Sequence, residues 1–142
     1  MSSVRTVSVW LILMTAEFIH GVLRVLLLAP HVGDLRARQI CVFTGSLIIL
    51  AVAWLFIGWI GARTRGSLIA VGAIWLGLTI SFEIGLGRLV LGYSWGRLLE
   101  DYDVSKGGLL LLGAAFLLIS PLLVARMRGL TKDHTITDEL SQ

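Results

Sequence analysis

Cysteine, catalytic motifs and charge are all scarce in this sequence, and each scarcity excludes a class of protein. The single cysteine, Cys41, excludes an internal disulfide and any cysteine-rich zinc or redox site. No nucleophile elbow, phosphate-binding loop or catalytic-triad spacing occurs, so the sequence indicates no soluble-enzyme chemistry; the cofactor is unknown, and none is firmly implied. The basic residues form no domain that would hold a phosphate backbone, and we therefore expect no nucleic-acid partner.

Long apolar runs take the place of charge. The chain is 56% hydrophobic and 15% charged, whereas about a quarter of the residues are charged in a typical soluble domain. Four runs are long enough to span about 30 Å of hydrocarbon, which needs about 20 helical residues; they cover residues 6–29, 40–61, 67–91 and 108–125. They are continuous rather than alternating, which favours helices over strands. We predict an all-α integral membrane protein with four transmembrane helices in one domain, residues 1–128.

Turn and charge signals set the predicted boundaries of these helices. Pro30 is predicted to end the first helix, because proline cannot donate the next helical hydrogen bond. Apolar character continues past Glu17, so the first run is expected to be a membrane helix and not a cleaved signal peptide. The stretch "SWGRLL", which contains Trp95, is predicted to be an interfacial helix. Residues 129–142 are polar and are expected to form a disordered cytoplasmic tail.

Loop charges predict the orientation of the chain. Four helices place both termini on one side, and that side carries six of the lysine and arginine residues near the membrane: Arg5, Arg63, Arg65, Arg126, Arg128 and Lys132. The other side carries four: Arg36, Arg38, Arg97 and Lys106. Basic loops remain cytoplasmic, so we expect cytoplasmic termini in the plasma membrane, as a bacterial inner-membrane protein. The basic surplus suits the anionic surface of a lipid bilayer, the first expected partner.

The chain is predicted to contain two repeated helical hairpins. "GSLIILAVAWLFI", from Gly45, resembles "GGLLLLGAAFLLI", from Gly107, and Glu17 and Glu83 each precede a glycine by four residues. A parallel repeat would have a pseudo-two-fold axis along the membrane normal and would place both glutamates at equal depth. The alternative is chance similarity between membrane helices rich in leucine, glycine and alanine.

Ionisable side chains within the apolar runs are the candidate functional residues. Glu17, His20 and Arg24 fall on one stripe of the first helix, which predicts a face that avoids lipid. The third run contributes Glu83 and Arg88. Because a charged side chain at the centre of a membrane helix costs about 2.5–3.5 kcal/mol, Glu17 must be protonated, paired or in contact with water. Its expected partners are the other four residues.

Two main hypotheses follow from this cluster. In the first, the protein binds or carries a small ligand or ion between the first and third helices, with proton coupling through Glu17. In the second, it is a structural or accessory subunit whose charges specify helix packing, with Gly21 and Gly87 permitting close approach. Four short helices enclose little volume, so both hypotheses predict a homo-oligomer or a membrane-protein partner.

A third hypothesis is a single metal site. Glu17 and His20 have the Glu-x-x-His spacing of helical di-iron proteins, and Glu83 would supply a further carboxylate. Leu86 stands where the second histidine of a two-metal site would be expected, so these three residues would bind one ion only.

Overall fold

The chain folds into helices joined by short connections. The computed structural model describes residues 2–100, 103, 105 and 109–131, and among these no strand is present. Four helices are long and apolar enough to span a membrane: α1 (Ser3–Val32), α2 (Asp34–Ile60), α3 (Arg65–Val90) and α5 (Leu110–Met127). The short helix α4 (Trp95–Glu100) precedes α5. The predicted all-α fold with four membrane helices is confirmed; most of the predicted tail, residues 132–142, lies outside the described residues.

The prediction that Pro30 ends the first helix is wrong. The helix is α-helical over Ser3–Leu23, π-helical over Arg24–Leu28 and α-helical again over Ala29–Val32. In the wider π turn, the Ala29 N–H donates to the carbonyl five residues earlier, that of Arg24. This changed pairing lies directly before Pro30, which has no N–H to contribute, so the helix continues through it. The turn to α2 comes at Gly33, whose φ of +87° favours glycine.

A second π-helical segment ends α3. This helix is α-helical over Arg65–Gly85 and π-helical over Leu86–Val90. Both α1 and α3 therefore have a widened segment towards the C-terminal end, a similarity between the two predicted halves that the apolar pattern did not indicate. The internal repeat itself stays a prediction, because Gly107, the counterpart of Gly45, lies outside the described residues.

Two indole hydrogen bonds join α1 to α3. The Trp75 Nε1 of α3 donates to the Thr6 carbonyl of α1 at 3.0 Å. One turn along, the Trp10 Nε1 of α1 donates to Thr79 Oγ1 of α3, also at 3.0 Å. The other principal contacts join α1 to α2, α2 to α5 and α5 to α3. The four helices thus form a bundle in the order α1, α2, α5, α3.

The buried residues of α1 lie in one half of the bundle. We call the end where α1 begins the terminal end; α2 and α5 also finish there, since Ser2 N donates to Ile60 O at 3.3 Å and Arg128 Nη1 donates to Trp54 O at 2.7 Å. We call the opposite end, at Gly33, the hairpin end. Among the described residues, α1 has no buried residue beyond Leu13. The hairpin-end half of α1 is therefore less tightly enclosed than the terminal half.

Glycine permits close approach at Gly87, as predicted, but not at Gly21. A Cβ added at Gly21 would meet nothing within 4 Å, so Gly21 has no such role. At Gly87 it would lie 2.5 Å from Leu98 Cδ2, a side chain of the short helix α4. The closest approach involves Gly72 of α3, where an added Cβ would collide with the backbone carbonyl of Leu118 in α5.

We expect Gly72→Ala to destabilise the bundle, because the clash is with backbone that cannot rotate away. Overpacking of this kind costs about 1–3 kcal/mol. Gly77→Ala in the same helix is the matched control, since a Cβ there meets nothing within 4 Å. Thermal unfolding in detergent measures the difference. A Gly72→Ala protein as stable as Gly77→Ala would contradict the close contact.

Candidate functional site

The carboxyl group of Glu17 lies between its own helix and α2. Its Oε2 is 3.3 Å from His20 Nδ1, one turn further along α1. A Cβ added at Gly45 of α2 would lie 3.1 Å from the same oxygen. The missing side chain at Gly45 therefore lets the carboxyl group rest against the α2 backbone. The Glu17 Oε1 is buried, and within the described part of the chain it has no hydrogen-bond partner.

His20 continues this contact to a hydroxyl group on α2. Its Nε2 lies 2.7 Å from Thr44 Oγ1, and that hydroxyl lies 3.4 Å from the Ile40 carbonyl. Glu17, His20 and Thr44 thus form a polar chain that crosses from α1 to α2. The side chains of Glu17 and His20 are 24% and 19% exposed, so both reach the surface between the two helices.

The polar chain is compatible with two protonation states. In one, the Thr44 hydroxyl donates to His20 Nε2, and His20 Nδ1–H donates to a Glu17 carboxylate. In the other, Thr44 donates to Ile40 O, His20 Nε2–H donates to Thr44, and one additional proton lies between His20 Nδ1 and Glu17 Oε2. The positions of the non-hydrogen atoms are the same in both protonation states. Taking up one proton therefore requires only that the hydroxyl rotate and the imidazole change tautomer.

A groove lies between α1 and α2, beside the polar chain of Glu17, His20 and Thr44. Its volume is about 280 Å³. Its polar lining comes from His20, Arg24, Cys41 and Thr44. Its apolar lining comes from Leu23, Leu27, Leu28 and Ile40. Because the π-helical segment begins at Arg24 and continues along the groove wall, the wall contains the widened turn of α1.

Arg24 is the unpaired charge of the groove. Its Nε is buried, yet no acceptor among the described residues lies within hydrogen-bonding distance of it. The expected ion pair with Glu17 does not form, since the carboxyl group of Glu17 is directed to His20 and Gly45. A guanidinium carries five donors and remains charged, so Arg24 offers unused donors to a species beyond the described chain.

The two candidates on α3 do not complete this site. Arg88 Nη1 donates to the Tyr93 carbonyl at 3.0 Å, and the Arg88 guanidinium lies 5.0 Å from the centre of the Trp95 ring. Arg88 therefore holds the segment that leads into α4. Glu83 is partly buried on α3. The partners of Glu17 come from α1 and α2, whereas the sequence analysis placed the site between the first and third helices.

The metal hypothesis gains no geometric support. Over the described ranges, no three histidine, cysteine, aspartate or glutamate side chains form a group that could hold a metal ion. Glu17, His20 and Glu83 are all described, and they do not form this ligand set. Thr44 and Gly45, which the sequence analysis did not assign to the site, do contribute. Their only sequence signal is a short polar and glycine interruption, "TGS", in the second apolar run.

Comparison of the chain with protein-family models, with curated proteins and with solved structures finds no match. The groove combines three chemical elements: a polar chain that is compatible with two protonation states, the unpaired Arg24 and an apolar wall.

We expect Gly45→Ala to displace the Glu17 carboxyl group and weaken its contact with His20. The added methyl group would lie 3.1 Å from Glu17 Oε2, which is closer than ordinary van der Waals contact. The ¹⁵N chemical shifts of the His20 ring, assigned with a His20→Gln variant, report that contact. Gly21→Ala is the control, since its Cβ meets nothing within 4 Å. Unchanged His20 shifts in Gly45→Ala would contradict the proposed role of Gly45.

Proposed function

We propose that this protein binds a small anionic ligand in the groove between α1 and α2 and takes up a proton at the Glu17–His20 pair when it does so. The observation that carries the proposal is Arg24, which lines the groove without an acceptor for its Nε among the described residues. An arginine in a membrane helix is costly, and such residues commonly mark ligand or ion pathways. An anion is the species that its charge and donors suit.

The charges around the groove explain the link to protons. With Glu17 ionised and His20 neutral, Glu17 offsets the charge of Arg24, and the three side chains together are neutral. With one more proton on the Glu17–His20 pair, they carry one positive charge. An anion is attracted more strongly to the second state, and the attraction is large where water is scarce. Thr44 and Cys41, which face the groove from α2, do not add a charge to this balance while the thiol remains protonated.

Linkage fixes the sign of the effect. If protonation strengthens anion binding, anion binding strengthens protonation by the same factor. Affinity for the anion therefore rises as the pH falls. Across a membrane with a pH difference, coupled binding of this kind allows an anion and a proton to move together. A small proton-coupled carrier is the activity that we infer from it.

The function as an accessory subunit makes a different prediction for the same groove. In that case a helix of another membrane protein, and not a small ligand, supplies the acceptor for Arg24. The two cases differ in what is retained when the protein is extracted gently from the membrane: a small acidic molecule in the first, and a second polypeptide in the second.

We expect native mass spectrometry of the gently extracted protein to show a small acidic adduct that is more abundant at acidic than at alkaline pH. Linkage to one proton permits a change of up to about tenfold per pH unit. Glu17→Gln should assemble normally and lose this pH dependence, because its amide cannot take up the proton. Glu100→Gln, which removes an exposed carboxyl group on α4, is the control and should behave as wild type.

Three results would contradict the proposal. The first is an adduct whose abundance does not change with pH in the wild-type protein. The second is a Glu17→Gln variant that retains the full pH dependence. The third is a second polypeptide in place of the adduct, which would support the accessory-subunit function. A loss of assembly in Glu17→Gln that matches the loss of adduct would favour a packing role for Glu17.

A further inference from the structure

We infer that the ligand of the α1–α2 groove is a single-chain amphiphile with one anionic headgroup, of the fatty-acid type, that enters from the bilayer. This inference rests on the proposed function and names its ligand class. Arg24 binds the headgroup, and the apolar wall of the groove covers part of the chain.

The lining of the groove favours an amphiphile over a water-soluble anion. Four of the eight residues that line it are aliphatic: Leu23, Leu27, Leu28 and Ile40. The basic groups, Arg24 and His20, both lie on α1. A compact, fully hydrated anion would meet Arg24 and leave the aliphatic wall uncovered. An alkyl chain attached to the anion covers that wall, so both parts of the lining are used.

The size of the groove favours a single chain. Its volume of about 280 Å³ is just below the range of about 300–1,000 Å³ that is usual for small-molecule pockets. A lipid with two chains exceeds this space. One chain fits in part, with the remainder lying along the lipid-facing surface of the helices.

The chemistry of Arg24 favours a carboxylate or phosphate headgroup. A guanidinium forms two parallel hydrogen bonds with such a group, and these charge-assisted bonds are stronger than neutral ones. No protein carboxylate competes for Arg24, since Glu17 is held by His20 and Gly45. Charge complementarity therefore identifies the headgroup as anionic.

The route of entry follows from the position of the groove. Leu27, in its wall, is 64% exposed on the outside of α1. Leu27 belongs to a helix that is long and apolar enough to cross the membrane, so we expect this opening to face hydrocarbon. A molecule already dissolved in the bilayer reaches the groove by lateral diffusion, whereas a hydrated anion has no such route.

Photocrosslinking tests the ligand class directly. The probe is palmitic acid with a diazirine on its chain and a terminal alkyne, added to the purified full-length protein in detergent. The matched probes are its methyl ester and a phosphatidylcholine that carries the same chain. We expect the acid to label peptides within residues 23–28 and 40–44, and unlabelled palmitate to compete. The ester and the phosphatidylcholine should label these peptides weakly.

Substitution of Arg24 gives the decisive comparison. Arg24→Gln should reduce labelling by at least about tenfold, because it removes charge-assisted hydrogen bonds to the headgroup. Arg36→Gln removes an exposed arginine near the same end of the bundle and should label as wild type. If Arg24→Gln does not fold, Leu27→Trp keeps Arg24 and fills the groove, and it should also reduce labelling. Alkylation of Cys41, the single thiol, should be slowed by palmitate in the wild-type protein only.

Each alternative outcome overturns a stated part of the inference. Equal labelling by all three probes would show general contact with lipid and would overturn the inference that the ligand is an anionic amphiphile. Unchanged labelling in both Arg24→Gln and Leu27→Trp would overturn the groove as the site. No labelling by palmitate, combined with a pH-dependent adduct of a water-soluble anion, would overturn the amphiphile and leave the proposed function standing. Palmitate labelling with no pH dependence would support the amphiphile and overturn the proton linkage.

Discussion

The backbone contact between α3 and α5 at Gly72 is the constraint on which the arrangement of the helices depends. Only a glycine leaves room for the Leu118 carbonyl at that point. Trp75, one turn further along α3, is then directed to the backbone of α1 and donates to Thr6. With α2 against the other side of α5, the terminal halves of the four helices are fixed. The hairpin-end half of α1 has no comparable contact, and the groove forms there.

A glycine in α2, Gly45, also permits a close contact, but with a polar side chain and not with the backbone of another helix. No water is available within the bilayer core, so a polar side chain there needs a partner from the protein. Gly45 lets the Glu17 carboxyl group lie against α2, where Glu17 Oε2 contacts His20 Nδ1 and His20 Nε2 contacts Thr44 Oγ1. The site is therefore built from α1 and α2 alone. Arg88 of α3 lies instead beside Trp95.

Apolar length and helical periodicity were sufficient to predict the helices and the face that carries Glu17, His20 and Arg24. They were not sufficient to predict which helix that face contacts, because an angular stripe specifies a direction and not a neighbour. The site was therefore placed against α3, whereas Glu17 contacts Gly45 of α2. The prediction that Pro30 ends the first helix was wrong for a local reason. It assumed regular α-helical hydrogen bonds, whereas the segment from Arg24 to Leu28 is π-helical.

Arg24 favours the proposed binding site over a role in helix packing alone. A charged residue retained only to specify packing is expected to pair with an available countercharge, since an unpaired charge in a membrane helix costs about 2.5–3.5 kcal/mol. Glu17 lies on the same face of α1, yet it bonds to His20 and not to Arg24. One carboxyl oxygen of the glutamate is thus paired with the histidine, whereas Arg24 lines the groove and its buried Nε has no acceptor among the described residues. A packing role accounts for the first pair, but among the described residues it supplies no acceptor for the Arg24 Nε.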